Sequence, residues 1–178
     1  MNKEKTVLNT PLKLALAAIF GALAATVTMS FVIPIPATNG YFNLGEAIVY
    51  TAALVFGPFV GGFAGGSVAI ADILVPGAAP FAPGTLVIKG LEGAIVGFLN
   101  RKLQKHTSNL GLSAAISVII GGLEMVAGYF IYEQLFLGYS LPAALVEVPF
   151  NIVQMIIGLI VAVPTMYVVQ RVFPQLKS

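Results

Sequence analysis

A lysine and two glutamates stand where the surrounding sequence leaves little room for charge. Lys89 and Glu92 lie three residues apart in the apolar stretch 85–103, and Glu124 falls inside the apolar stretch 111–137. A charge at the centre of a membrane span costs about 2.5–3.5 kcal/mol on insertion scales, so such a side chain turns inward and finds a partner. Their spacing puts Lys89 and Glu92 on one helical face, where they can pair, and Thr85 extends that face. Further along, Glu147, Asn151, Gln154 and Gly158 recur at i, i+4, i+7 and i+11, a polar stripe down one side of a helix. A third stripe, Gly121, Glu124, Gly128 and Tyr132, combines an acid and an aromatic ring with two gaps where something can lie against backbone. Together the stripes offer acids, an ammonium, two amides and aromatic rings around one cavity. That set suits a small polar heterocycle: its ring stacks on Tyr or Phe, and the amides read ring nitrogens and hydroxyls. The same groups could instead satisfy one another between helices. One Lys–Glu pair is ordinary for that role; a third acid and two amides exceed it.

These stripes need helices in lipid to carry them. Of 178 residues, 58% are hydrophobic and 9% charged, against about 25% charged in soluble domains. Too few charges remain to cover a water-facing surface, so the solvent for most of the chain is the bilayer. Six apolar segments are read in one domain spanning residues 1–178: 12–33, 44–56, 57–75, 85–103, 111–137 and 143–173. Pro11 opens the first and Pro34 and Pro36 close it. The second is short for a span, so it is expected to tilt inside the bundle or to form a broken hairpin with the third. Pro149 and Pro164 are expected to bend the sixth. The expected fold is an all-α membrane protein, a bundle of six transmembrane helices. No cleavable signal peptide is expected, because the first apolar run is too long for a signal core.

The nine Lys and Arg residues orient the bundle. Lys3, Lys5 and Lys13 precede the first segment, Arg101, Lys102 and Lys105 follow the fourth, and Arg171 and Lys177 lie at the end of the sixth. With six spans these groups share one side, which the positive-inside rule makes the cytoplasm, so both termini are expected there. The loops 34–43, 76–84 and 136–142 on the other side contain no Lys or Arg, and Lys89 is the exception. Glu46, Asp72, Glu133 and Glu147 map near the opposite, outer ends of their segments. A polar outer half over a hydrocarbon inner half describes a cup open outward rather than a pore. Over that cup, the stretch 34–43 is rigid at Pro34 and Pro36 and turn-like at Asn39-Gly40, so it reads equally as a lid or a connector. The loop 76–84 is a second candidate lid.

Segment one repeats small residues every four positions, Ala17-Gly21-Ala25 and Ala18-Ala22-Thr26, a surface that lets another helix approach closely from within the chain or from a second protein. No Walker motif is present, so nucleotide hydrolysis is not expected. There is no cysteine, and the single histidine, His106, falls in a loop, so neither disulfide nor buried metal site is expected. No Ser–His or Ser–Lys nucleophile pair stands out, and no inverted-topology halves are evident. An enzyme using Glu and Lys as acid and base, and a structural subunit held by polar contacts, are the other classes open to these residues.

Several stretches resemble the substrate-binding S components of energy-coupling factor (ECF) vitamin importers: Ala18-x-x-x-Ala22, Tyr41-Phe42-Asn43-Leu44-Gly45-Glu46, Phe56-Gly57-Pro58, Asp72-Ile73-Leu74 and Leu86-Val87-Ile88-Lys89-Gly90-Leu91-Glu92-Gly93. The last is similar to the riboflavin-type branch, which also contains carriers of pyridoxine and of thiamine-precursor pyrimidines. The resemblance implies a multi-pass protein of the prokaryotic plasma membrane, with no enzymatic activity, no cofactor and no nucleic-acid partner. It would capture a small vitamin of the pyridoxine or hydroxymethylpyrimidine type outside, with riboflavin as the alternative. It would deliver that vitamin with a transmembrane coupling protein and two ATPase subunits. Tyr41, Asn43, Lys89, Glu92, Glu124, Tyr132, Glu147, Asn151 and Gln154 are the expected ligand contacts. Ala17, Ala18, Gly21 and Ala22 are the expected contacts to the coupling module.

Overall fold

The computed structural model describes residues 9–174; Lys3, Lys5 and Lys177, used above to orient the bundle, lie outside them. Helix α1 (Thr10–Ser30) leads into a short hairpin, β1 (Ile33–Ile35) and β2 (Gly40–Phe42). Then follow α2 (Glu46–Phe56), α3 (Pro58–Ser67), α4 (Ala69–Leu74), a 3-10 turn at Ala79–Phe81, α5 (Ala82–Leu103), α6 (Leu110–Leu135) and α7 (Leu141–Val172). Asn9 caps α1 and Asn109 caps α6, each side chain accepting from the amide three residues on. Helix α7 stays continuous through Pro149 and Pro164.

Four of these elements are long and apolar enough to cross a membrane: α1, α5 with its preceding turn, α6 and α7. The remaining two apolar rods, Glu46–Phe56 and Pro58–Leu74, are shorter. At 1.5 Å per residue α2 reaches only about 16 Å, roughly half the hydrocarbon thickness. The expectation of six spans therefore becomes four full-length helices and two short ones. Helix α2 survives at this length because it is enclosed. It packs on α7, α3 and α5, and Val49, Tyr50, Ala52 and Ala53 have no more than 1% of their surface exposed.

Consecutive rods run in opposite directions, which sorts the chain into two ends. The hairpin, the N-termini of α2, α5 and α7 and the C-termini of α4 and α6 share one end. Among the described residues, Lys13, Arg101, Lys102, Lys105 and Arg171 gather at the other, with no Asp or Glu beside them in sequence.

Helix α3 lies between α1 and α5, and small residues set those distances. Ala17 and Gly21, expected on a partner-facing surface, turn inward instead: a Cβ on Gly21 would stand 2.6 Å from Ser67 Oγ. Ala18 and Ala22, one position round the helix, remain exposed. On the opposite side of α3 the approach to α5 is backbone to backbone. A Cβ at Gly97 would meet Pro58 N at 2.5 Å and Gly57 C at 2.6 Å, whereas one at Gly90 would stand 3.6 Å from Gly62 O. Gly97→Ala is therefore expected to cost about 1–3 kcal/mol through overpacking. Gly90→Ala, in open contact and with better helix propensity, should be neutral or slightly stabilising. Thermal midpoints of the two variants in detergent check this contrast; equal midpoints would contradict the α3–α5 seam.

Candidate ligand-binding site

The chain between α1 and α2 folds back at Asn39, whose φ of 60° is tolerated by Asn better than by most side chains. This turn pairs Pro34 with Tyr41 and Ile35 with Gly40. The hairpin is tied down at three points. Thr38 Oγ1 donates to the Glu147 carboxylate of α7, and Tyr139, in the α6–α7 loop, donates its hydroxyl to the Thr38 carbonyl. Tyr41 donates to Asp72 Oδ1 of α4 at 2.5 Å. Burial, and then the adjacent Asp72 carboxylate, push the Tyr41 phenol above its ordinary pKa. Burial, and then Glu133 and Glu147, push the Tyr139 phenol up in the same way. Both hydroxyls therefore stay protonated and act as donors. The stretch 34–43 covers the polar end of the bundle, with ordered contacts to α4, α7 and the α6–α7 loop.

Beneath it lies a small cavity. Tyr41, Asn43, Lys89, Glu147, Asn151 and Gln154, six of the nine expected contacts, line it. The α7 stripe supplies three of these, all nearly buried, and it is wired to the hairpin. Gln154 donates to Asn151 Oδ1 at 2.9 Å and accepts from the Asn43 amide at 3.3 Å. Asn43 Oδ1 in turn accepts from Gly45 N at the start of α2. Asp72, Thr85, Tyr129 and Glu133 also line the cavity and were absent from the expected set. Thr85 Oγ1 and the Tyr129 hydroxyl are 2.7 Å apart.

Glu92, Glu124 and Tyr132 are not among the lining residues. The α6 stripe that includes Glu124 and Tyr132 is the seam against α5: Gly121 faces Val96, Gly128 faces Ile88, and Tyr132 lies over Gly84. Tyr132 also donates to the Pro80 carbonyl at 2.9 Å and stacks on Phe136. The α6 residues that line the cavity are one position round the helix, Tyr129 and Glu133 at i and i+4, on the face whose next turn carries the core residue Met125. The periodicity of that face was available in the sequence; the choice between adjacent faces was not.

The expected Lys89–Glu92 pairing is also replaced. Lys89 forms its ion pair with Glu46 of α2, and Glu92 Oε1 accepts from the Tyr50 hydroxyl at 2.5 Å. A buried ammonium prefers a carboxylate it can meet head on, and α2 brings one from 43 positions away in sequence. Lys89 Nζ also lies 5.8 Å from the Tyr129 ring centroid, within cation–π reach.

The electrostatic result is a lining with three acids, Asp72, Glu133 and Glu147, and one ammonium already matched by Glu46. Glu133 is 1% exposed, and its Oε2 has no hydrogen-bond partner among the described residues. A buried acceptor without a donor costs free energy until something supplies one. The space open to water centres is about 30 Å³, room for roughly two waters. The polar side chains are thus drawn together under the hairpin around a space of water size, so a ring-sized guest requires the lining to move. Among the described residues no group of His, Cys, Asp and Glu is arranged to hold a metal ion.

An apolar helical bundle with a polar cavity at one end, and four helices able to cross a bilayer, is the architecture of an integral membrane protein. The chain belongs to the family of S components of ECF-type riboflavin transporters, whose model matches residues 9–171. Members of this family are transporter components, not enzymes. A Pyrococcus woesei protein, described as uncharacterized in the gap 3' region, is 40% identical over 150 residues, covering 83% of this chain and 95% of that protein. The thiamine precursor transporter HmpT of Lactococcus lactis subsp. cremoris is 30% identical over 151 residues, covering 84% of this chain and 82% of its own. The solved S component of a bacterial ECF transporter has the same fold, with a TM-score of 0.66 at 20% identity over 96% of this chain and 100% of that one.

The ion pair generates a stability prediction. Lys89→Met strands the Glu46 carboxylate and is expected to cost about 3–5 kcal/mol. Adding Glu46→Gln should recover more than half of that loss. Thermal unfolding of the detergent-solubilised variants measures both; a Lys89→Met protein of wild-type stability would remove the pair from the account.

Proposed function

We propose that this chain is the vitamin-capturing subunit of an ECF-type importer and that its ligand is a small aminopyrimidine of the hydroxymethylpyrimidine, thiamine-precursor class. The observation that carries this reading is the acid-rich, nearly filled cavity under the hairpin. A carboxylate accepts two parallel hydrogen bonds from a protonated ring nitrogen and its neighbouring amino group, the strong bidentate arrangement. Glu133, with an oxygen lacking a donor, and Glu147, now held by Thr38, are the carboxylates available. Asn151 and Gln154 can read the second ring nitrogen and a hydroxymethyl group, and Tyr129 offers a ring face. The relationship to a thiamine precursor transporter supports the same choice. A pyridoxine-type ring shares much of this chemistry. The three-ring system of riboflavin would need a far larger opening.

In this reading the hairpin end faces outward and the basic end, with both termini, faces the cytoplasm of a prokaryotic cell. The chain neither hydrolyses nucleotide nor modifies its ligand. A separate transmembrane coupling protein and two ATPase subunits supply the work. The exposed Ala18–Ala22 face of α1 is the surface offered to that module, since Ala17 and Gly21 are already covered by α3.

Isothermal titration of the purified protein with hydroxymethylpyrimidine, pyridoxine and riboflavin tests the ligand. The pyrimidine should bind tightest, and Glu147→Gln or Asn151→Ala should each weaken it by roughly tenfold or more. Glu124→Gln, outside the cavity, should bind within about twofold of wild type. Riboflavin binding without pyrimidine binding would overturn the ligand assignment. Ala18→Trp should keep binding and lose uptake in cells; loss of binding would instead place that face inside the fold.

A further inference from the structure

The basic end of the bundle contains a second opening that the ligand cavity does not explain. It lies between the start of α6 and the end of α7, has a volume of about 470 Å³, and is lined by Leu110, Tyr167, Val168, Gln170 and Arg171. Gln170 is 2% exposed, and neither its amide nitrogen nor its amide oxygen has a hydrogen-bond partner among the described residues. A buried primary amide with both ends unmet is costly, and water or a ligand must complete it.

The surroundings select an anion. Helix α6 has 26 residues and begins here, so its dipole favours negative charge at this point. Asn109 satisfies the amides of Leu112 and Ser113. Those of Leu110 and Gly111 still face out of the first turn. The Tyr167 hydroxyl lies over the same turn, so close that a Cβ on Gly111 would stand 2.7 Å from it. Arg171 supplies a guanidinium, the side chain best shaped for phosphate. The connection into α6 carries Lys105 and His106, and no Asp or Glu occurs in 93–123 or 148–174.

The rim selects the anion's source. Val168 and Val172 on α7 and Leu112 on α6 are 62%, 63% and 52% exposed, so the opening continues into the apolar outer wall of the bundle. We propose that this crevice binds the phosphate headgroup of an anionic phospholipid. Arg171, the Gln170 amide, the Tyr167 hydroxyl and the first turn of α6 hold the phosphate, and the acyl chains run along Val168, Val172 and Leu112. This site is independent of the vitamin cavity, which lies at the opposite end.

The test is lipid retention. Full-length protein is reconstituted with equimolar phosphatidylglycerol and phosphatidylcholine and extracted into detergent. Co-purifying lipid is then counted by mass spectrometry. Phosphatidylglycerol should remain at about one per chain and well above phosphatidylcholine. Arg171→Gln should lower it roughly tenfold, and Gln170→Leu should lower it clearly. Lys105→Gln, at the same end but not lining the crevice, should retain it. Arg171 is exposed, so that variant carries the test if Gln170→Leu fails to fold, as judged by gel filtration. Equal retention of the two lipids would overturn the proposal, as would an equal loss in Lys105→Gln. Displacement of the lipid by millimolar inorganic phosphate would overturn the lipid source in favour of a free-anion site.

Discussion

An ammonium group does not enter a helical bundle surrounded by hydrocarbon without a counter-charge, and Lys89 meets this constraint through Glu46. Much of the architecture follows from that pair. Helix α2 is too short to hold itself across a bilayer, yet it must bring Glu46 to α5 at a fixed depth. Its enclosure by α3, α5 and α7 makes that possible, and Gly158 of α7 leaves room for Glu46 and the Tyr50 ring: a Cβ there would stand 2.8 Å from Glu46 Cβ. Tyr50 in turn reaches Glu92, so two acids beneath the cavity are engaged before any ligand arrives. The pair also sets the sign of the cavity above it. With Lys89 neutralised from below, Asp72, Glu133 and Glu147 give the lining an excess of acceptors.

The same constraint bears on why buried carboxylates gather toward one end. Every buried polar group in lipid has to find its partner inside the protein. Around the cavity these partners are arranged in a connected set running from Tyr41 and Asp72 through the hairpin to Thr38, Glu147 and Tyr139. At the basic end the interior is hydrocarbon except for a few amides and hydroxyls. Asn100 reaches the Leu54 carbonyl and Arg101 the Phe56 carbonyl, which closes the C-terminus of the short α2. Backbone-to-backbone contact at Gly97 keeps α3 and α5 close enough for that closure.

Local spacing told as much of this as local spacing can. The helices fell where apolar runs and prolines placed them, and the α7 stripe Glu147, Asn151 and Gln154 reaches the cavity because one helix carries all three. Asn39-Gly40 marked the turn. What failed required knowledge of neighbours. The α6 stripe containing Glu124 and the stripe containing Glu133 differ by one step around the helix, about 100°. Only the position of α5 decides which one becomes a packing seam. Gly21 and Ala22 pose the same ambiguity on α1, resolved by Ser67 of α3. Lys89 and Glu92 have the spacing of a pair, yet a partner on another helix prevails because it can approach end on. Asp72 and Tyr41 could not be joined without knowing that the hairpin folds back across α4.

The hairpin's contacts are made with groups of the cavity itself, which in the proposed reading would link the hairpin's position to occupancy. Glu147 holds Thr38, and Asp72 holds Tyr41, so two of the three acids that could receive a ligand's donors already serve the lid. A guest with N–H groups would compete for the same oxygens and needs more than the space now open. In the proposed reading a ring-sized guest displaces the lining, and any hairpin contacts given up are replaced by contacts to the guest. A ligand rich in donors replaces them well. An uncharged apolar molecule would leave buried carboxylates without partners, at a cost of about 1–3 kcal/mol or more for each unmet group. If the hairpin serves as a lid over the proposed ligand, selection would operate through the acids that the two share, so discrimination would depend on what can release Thr38 and Tyr41 as well as on what fits.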